Sequence, residues 1–378
     1  MSIDRSTEHQ ANRPNDTSDS NESPREWRGD PSMLIKVSRA SGIPLHGLDF
    51  IGIIDRGTNL VEVRPTTLCN LRCAYCYANA GDLENEFEVE ASYLLGGFED
   101  VARFKGIDGI EAHIDPYGEG LLYKELPGLI TGLKRVAGVR RVSMQSNGTL
   151  VTEDRIDTLK AAGLDQINIT LNTMDPGQAR KISCRDDYDL DALLATLRLV
   201  VERGMDLVIT PVWFFGVNDA EIGRIIAFYN GLKATHPGPA AVRLGIQNYL
   251  VYRTGRKIGK VKEREFSFFY KQLRALEKEH GTKLVLNARD FGIHPAPTYP
   301  SDLVAAIHQA RQRKQAIEVE IVAPGRNDKE LVGTALGWGV KLLNLSGAPI
   351  DPARRQRVAI PAGQFDVTQE YLVTATFR

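Results

Sequence analysis

The chain has 378 residues, 42% of them hydrophobic and 25% charged, and its 47 Lys and Arg against 48 Asp and Glu leave a net charge of -1. That length buries a large core, as one α/β domain or as two to three smaller ones, and the balanced charge excludes a global basic field for nucleic acid or an anionic membrane. No run approaches the ~18 consecutive apolar residues of a membrane span, and the N-terminus has no apolar signal-peptide core, so a cytoplasmic protein with no membrane partner is expected.

Residues 1 to 30 are rich in Asp, Glu, Asn, Ser and Arg and hold almost nothing apolar before Trp27. They cannot bury enough surface to offset the entropy of ordering, which predicts a disordered tail. From Leu60 to Leu286 short apolar runs alternate with amphipathic ones. The strand candidates are LVEVRPT from Leu60, IEAHID from Ile110, RVSMQS from Arg141, QINITL from Gln166, LVITPVWF from Leu207 and VRLGIQNY from Val242. Between and after them EASYLLGGFEDVARF, EDRIDTLKAAG, LDALLATLRLVVERG, DAEIGRIIAFYNGLK and FSFFYKQLRALEKEHG carry apolar residues at three and four spacing. Thr152 is placed to cap the second of these helices and Gly163 to end it. Repeated strand-helix units of ~25 to 40 residues imply right-handed crossovers and a parallel sheet under helices. After Pro300 the β-type runs AIEVEIVAPG, LVGTALGWGVKLLNLSG, QRVAIPAG and EYLVTATFR, punctuated by Gly and Pro, predict a small antiparallel barrel. The organisation expected is a tail over 1–30, an α/β core with an N-terminal extension over 31–300, and an all-β barrel over 301–378.

The first strand candidate runs straight into TTLCNLRCAYCYANAG, which packs Cys69, Cys73 and Cys76 into eight positions; the chain has one other cysteine. Three clustered thiols are no disulfide framework, and a reducing compartment favours metal or redox work. The loop falls at the carboxyl end of a parallel strand, where α/β folds place their chemistry. Zinc asks for a fourth ligand, and the thirty residues that follow offer no His or Cys. A [4Fe-4S] cluster accepts three thiolates and leaves one iron open.

CNLRCAYC, with Tyr75 before the last Cys, resembles the hallmark of the radical S-adenosylmethionine (SAM) superfamily. The resemblance implies a partial (β/α)6 barrel of the TIM type, a cluster on Cys69, Cys73 and Cys76, and SAM chelated by the open iron and cleaved by the reduced cluster to a 5'-deoxyadenosyl radical. It also implies a reductant such as ferredoxin or flavodoxin. DPYGEGLLY looks like the family's Gly-Gly-Glu-Pro loop, keeping Gly118 and Glu119 while Tyr117 and Gly120 depart from it; Glu119 and the nearby backbone would receive the SAM ammonium. SMQSNGTL and QINITLNT resemble the segments that hold the SAM carboxylate and ribose, through Ser146, Asn147, Thr170 and Asn172; Ser146 and Asn147 could equally form the turn before Gly148. Backbone near Val212, Ile246 and Gln247 would lie against adenine. The chain is also similar to an uncharacterised archaeal radical SAM family with a C-terminal barrel of the TRAM or OB type.

Only Cys184 is left beyond the triad, so the additional cysteine sets of methylthiotransferases, twitch or SPASM maturases and biotin-type sulfur inserters are lacking. Hydrogen abstraction followed by rearrangement, C–C bond formation, methyl transfer or oxidation remains. Cys184 reads either as a hydrogen donor or radical carrier, or as a small residue at a helix junction. His113 with Asp115, and His294, are candidates for proton transfer or for structure. YRTGRKIGKVKER, residues 252 to 264, holds six basic residues against one acidic and reads as a solvated linker or a phosphate site. The barrel either presents tRNA or rRNA to the radical site, or serves as a lid or oligomerisation module over a small-molecule or peptide substrate; its seven Lys or Arg against seven Asp or Glu over 316–378 weaken the RNA reading.

Overall fold

A computed structural model describes residues 33–378 except 237, 239, 253, 346–354, 370 and 378. The tail expected over 1–30 lies outside the described residues. The chain enters through β1 (Met33–Val37), passes a buried stretch to β2 (Gly52–Asp55), and turns into β3 (Leu60–Arg64), which feeds the cysteine loop. β4 (Asn85–Val89) pairs in parallel with β1 and leads into α1 (Ala91–Lys105). Strands and helices then alternate through β5 (Ile110–Ile114), α2 (Leu126–Arg135), β6 (Val139–Ser146), α3 (Glu153–Ala162), β7 (Gln166–Ile169), α4 (Pro176–Ser183), α5 (Leu190–Glu202), β8 (Asp206–Ile209), β9 (Val212–Trp213), α6 (Asp219–Thr235), β10 (Val242–Leu244) and β11 (Gln247–Asn248). α7 (Phe266–His280) and α8 (Asp302–Arg313) precede β12 (Ala316–Pro324), β13 (Glu330–Ala335), β14 (Trp338–Asn344), β15 (Arg357–Pro361), β16 (Phe365–Thr368) and β17 (Leu372–Phe377).

The central sheet has the order β10-β8-β7-β6-β5-β3-β2. Its first six strands are parallel and sequential, the (β/α)6 arrangement expected, and β2 adds an antiparallel edge. Thr152 accepts from the Arg155 N–H at the start of α3, and Gly163 ends that helix at φ +106°.

Strand alternation sorts the two faces of this sheet. Val61, Val63, Ala112, Ile114, Val142 and Met144 are fully buried under the helices. The intervening positions, among them Glu62, Arg64, His113, Asp115, Ser143, Gln145, Asn168, Thr170 and Arg243, are polar and face the concave side. A parallel sheet covered on both faces reads as continuous apolar runs, so this alternation marks a polar lumen. Residues 287–296 lie across its amino end. Arg243 of β10 stacks over Phe291 at 5.8 Å, and Asn59, just before β3, donates to the Gly292 carbonyl at 3.1 Å and accepts from the His294 N–H at 2.8 Å.

The C-terminal sheet has the order β15-β12-β13-β14-β17-β16. The small barrel expected here is a half-barrel sheet: among the described residues its edges β15 and β16 do not pair with each other, and β14 runs parallel to β17 because β15 and β16 intervene at opposite edges. Its core takes in Leu303 and Ile307 of α8 and also Ile54 of β2. Tyr371 donates to the Ile53 carbonyl at 3.0 Å, the His46 ring nitrogen lies 2.6 Å from the Tyr371 hydroxyl, and Gly339 N–H donates to the His46 carbonyl at 2.7 Å. The cores on either side of residue 300 thus share the segment before β3.

Candidate active site

β3 delivers Thr66 and Thr67 fully buried and then releases the chain as the loop carrying Cys69, Cys73 and Cys76. Two distant segments hold that loop. Ala74 N–H donates to the Ile182 carbonyl at 2.8 Å, and Arg185 reaches the Asn70 carbonyl at 3.3 Å, so the end of α4 braces it from one side. On the other, Arg256 donates from its guanidinium to the carbonyls of Cys73 (2.8 Å) and Ala80 (2.7 Å) and to the Asn79 side chain (3.0 Å), while its own N–H donates to the Cys76 carbonyl (2.9 Å). The basic segment read as a linker or phosphate site therefore spends one of its arginines on the cysteine loop.

Gly118 sits against the start of the loop: a Cβ there would fall 2.1 Å from the Leu68 oxygen and 2.4 Å from that of Thr67. Glu119 is fully buried, and its carboxylate accepts from Asn147 N–H at 2.7 Å, the Ser146 hydroxyl at 2.9 Å and Leu121 N–H at 3.0 Å. Burial raises this carboxyl against those three donors. Both its oxygens are engaged by protein, so it ties the Gly-Glu loop to the Ser146–Asn147 turn. Asn147 bonds Thr149 through its side-chain oxygen (2.7 Å) and Asn70 through its amide (2.8 Å), the turn-forming arrangement before Gly148 at φ +78°.

Asn172 joins the far side of the site. Its amide donates to the Tyr75 hydroxyl at 2.8 Å and its oxygen accepts from Val212 N–H at 2.8 Å. Burial lifts the Tyr75 hydroxyl well above its usual range. Thr170, beside it, takes only a loose contact of 3.3 Å from Gln145. Cys73, Tyr75, Asn147, Thr170 and Asn172 line one cleft of about 440 Å³ counted out to solvent. Val212 pairs with Gln247 between β9 and β11 and Ile246 lies buried just before it; they reach the site through the Val212 N–H on Asn172 and are not among the residues lining the cleft.

His113 lies in the lumen, 2.8 Å from the Ser143 hydroxyl, which also bonds Glu111. Above it Arg64 bonds Glu62 and Asp115, each at 2.9 Å, and the Asp49 carbonyl, while its Nε has no partner among the described residues. Burial works to raise the Glu62 carboxyl, but Arg64 and Arg56 outweigh it and hold it at about 2. Sequence reasoning missed Arg64 and Arg256; the alternation in LVEVR was the available signal for the first. Cys184 caps α4 at φ +53° with its thiol exposed and 3.6 Å from the Lys181 carbonyl. His294 lies with Asn59 at the opposite end of the strands from the cysteines.

Burial, reinforced by Cys76, pushes the Cys73 thiol up to about 12, with Arg256 pulling the other way; burial raises Cys69 as well. Among the described residues no three His, Cys, Asp or Glu side chains converge as a single-ion site. Three soft sulfur donors on one loop suit an iron-sulfur cluster, which takes one thiolate per iron.

A six-unit partial barrel with three thiols on the loop after its first parallel strand is the arrangement of an enzyme that carries an iron-sulfur cluster. The chain belongs to the radical SAM superfamily, whose model matches residues 63–229. It is 31% identical over 321 residues to an uncharacterised protein of Methanocaldococcus jannaschii, covering 80% of this chain and 72% of that one. It is 29% identical over 221 residues to the GTP 3',8-cyclase of Chlorobaculum tepidum, covering 56% of this chain and 61% of the relative. Among solved structures it resembles HydG, a maturase of the [FeFe]-hydrogenase, with a TM-score of 0.49 at 13% identity over 58% of this chain and 49% of that one. As a radical SAM enzyme it uses a [4Fe-4S] cluster, SAM and an external reductant. No helix among the described residues is long and apolar enough to cross a membrane.

Proposed function

We propose that the chain directs radical chemistry at a polar substrate seated in the barrel lumen beneath the cysteine loop. Cys69, Cys73 and Cys76 would hold the cluster, and the cleft lined by Tyr75, Asn147, Thr170 and Asn172 would take SAM, with Gly118 and Glu119 shaping its floor and Val212, Ile246 and Gln247 its adenine end. Held by these residues, cluster and SAM would supply hydrogen-abstracting radical chemistry, drawing one electron from a ferredoxin or flavodoxin in the cytoplasm. The observation that carries this reading is the alternation that leaves one face of a parallel sheet polar directly below the cysteines. Polar side chains there orient the substrate, and the surrounding protein excludes water from the reacting carbon. His113, hydrogen-bonded to Ser143, is the proton-transfer candidate inside the lumen. Cys184, exposed at the α4 cap, is better suited to the junction role than to hydrogen donation.

Anaerobically reconstituted protein given SAM and dithionite should release 5'-deoxyadenosine. A Cys73→Ala variant that still releases it would refute the assignment of the cluster. Comparing metabolites and RNA modifications in cells with and without the gene would identify the substrate; a substrate with no polar groups would contradict the lumen site.

A further inference from the structure

The segment after β11 has two faces. Val251, Ile258 and Val261 pack against the buried group of Ile182, Phe214 and Tyr249, and Ile258 N–H donates to the Tyr249 hydroxyl at 3.1 Å. Gly255 lies so close to the cysteine loop that a Cβ would fall 2.6 Å from the Tyr77 Cα and 2.8 Å from the Cys76 oxygen, and Arg256 completes the attachment. Between these anchors Lys257, Lys260 and Lys262 point outward, exposed, and form no ion pair among the described residues. Arg264 follows, exposed, over the ring of the exposed Phe268 at 5.6 Å. Tyr252 and Tyr77, both exposed, stand with ring centroids 5.6 Å apart where the strap meets the loop. At the root of the strap, Asn248 donates to the Arg264 carbonyl at 2.7 Å, while its own side-chain oxygen is buried without a donor among the described residues.

We infer that this strap is a binding site for the phosphates of a nucleotide-type substrate, either a free nucleoside triphosphate or a nucleotide within RNA. A solvated charged segment explains exposed lysines; it does not explain why they are fastened to the rim of the cysteine loop in a chain of net charge -1. Unpaired lysines attract phosphate oxygens, and aromatic faces at the same rim accept a base, which inorganic phosphate lacks and a nucleotide has. Because Gly255 and Arg256 bind the strap to the cysteine loop, phosphates held on it are in fixed register with the thiols. The inference names the substrate class for the lumen reading and rests on that reading.

The test uses the reconstituted full chain. A fluorescent mixed-sequence 20-nucleotide RNA is titrated by anisotropy and GTP by calorimetry, at low and raised salt. A Lys257→Glu, Lys260→Glu, Lys262→Glu variant is compared with a control reversing Lys271, Arg274 and Lys278 on α7, and a Lys-to-Gln version of the strap variant covers the case in which reversal disturbs folding. Weakening by about tenfold or more in the strap variants alone, with a salt slope shallower by about 2 for RNA, supports the site. Loss for RNA identifies the polymer as the source, and loss for GTP alone identifies the free nucleotide. No binding of either probe, or equal binding by strap and control variants, overturns the inference. Release of 5'-deoxyadenosine by the wild-type chain is read separately, so failure of the strap is distinct from failure of the radical assignment.

Discussion

The Arg256 guanidinium lies 2.8 Å from the carbonyl oxygen of Cys73, the middle cysteine of the triad, and bonds two further groups of the same loop. It is both a brace and a positive charge beside the cluster site. Removing it in Arg256→Met takes its donor from the Ala80 carbonyl, while the Cys73 carbonyl keeps the Cys76 N–H at 3.1 Å, a loss of about 1 to 3 kcal/mol of loop stability. Iron content after reconstitution should fall to less than about half of wild type by that estimate. In the clusters that do form, the midpoint potential should move in the negative direction, since a nearby cation stabilises the reduced state. Arg256→Lys should retain most of the potential while recovering little of the iron, because it keeps the charge and loses the fork. Equal potentials in the two variants would contradict the electrostatic role.

Gly118→Ala should prevent cluster assembly. The new methyl would overlap backbone oxygens of Leu68 and Thr67, which cannot move without carrying Cys69 with them. Gly128, in α2 with open space around its Cβ position, provides the control: Gly128→Ala should raise stability by about 0.5 to 1 kcal/mol and leave iron content unchanged. The comparison requires iron analysis and thermal melts of both proteins.

Lys105 and Asp55 form an ion pair at 2.9 Å with both side chains fully buried, and Asp55 also accepts from Gly57 and Tyr299 N–H groups. The pair fastens the end of α1 to β2 and to the segment before α8. Lys105→Met leaves a buried carboxylate uncompensated and should destabilise the chain by about 3 to 5 kcal/mol, with Lys105→Met/Asp55→Asn recovering part of that. Urea denaturation of the two proteins measures the difference; a double variant no more stable than the single one would argue against the ion pair.

Burial holds the His46 imidazole down at about 4, against the pull of Asp100 and Asp55. Its folded value is depressed, so the unfolded chain binds the proton more readily between pH 6.5 and 4. Stability is then fully present above pH 6.5 and declines as pH falls through that window, by up to about 3 kcal/mol. His46→Gln should flatten the slope of stability between pH 6.5 and 4.5, read from denaturation midpoints of the anaerobic protein. An unchanged slope would assign the acid sensitivity to other groups.

The parallel strands and long helices were legible because their signals are local. α2, α4 and α8 were not: LPGLITGLKR carries two glycines and a proline, PGQARKIS is barely two turns, and DLVAAIHQARQR, a helix of 12 residues, lies in the stretch after Pro300 that was read as all-β. β1 and β4 are five residues each and hold together by pairing across about fifty positions, which no window of sequence displays. The triad was legible because its spacing is a property of one short loop. The role of Arg256 was hidden, since its partners are carbonyl oxygens that every residue possesses. Glu119 could be found from its loop, but the Ser146 and Asn147 donors that occupy it arrive by folding alone.

Residues 287–296 lie across the amino end of the strands through Asn59 and Phe291. A partial barrel whose edge strands β10 and β2 do not pair among the described residues has an open side as well as two ends, and the cysteine loop stands at the end opposite that segment. On the proposed reading substrate and SAM both approach from the cysteine side, and a passage they share would make the order of arrival a kinetic property of the architecture. Competitive patterns between product and SAM in steady-state inhibition would be the mark of that shared passage.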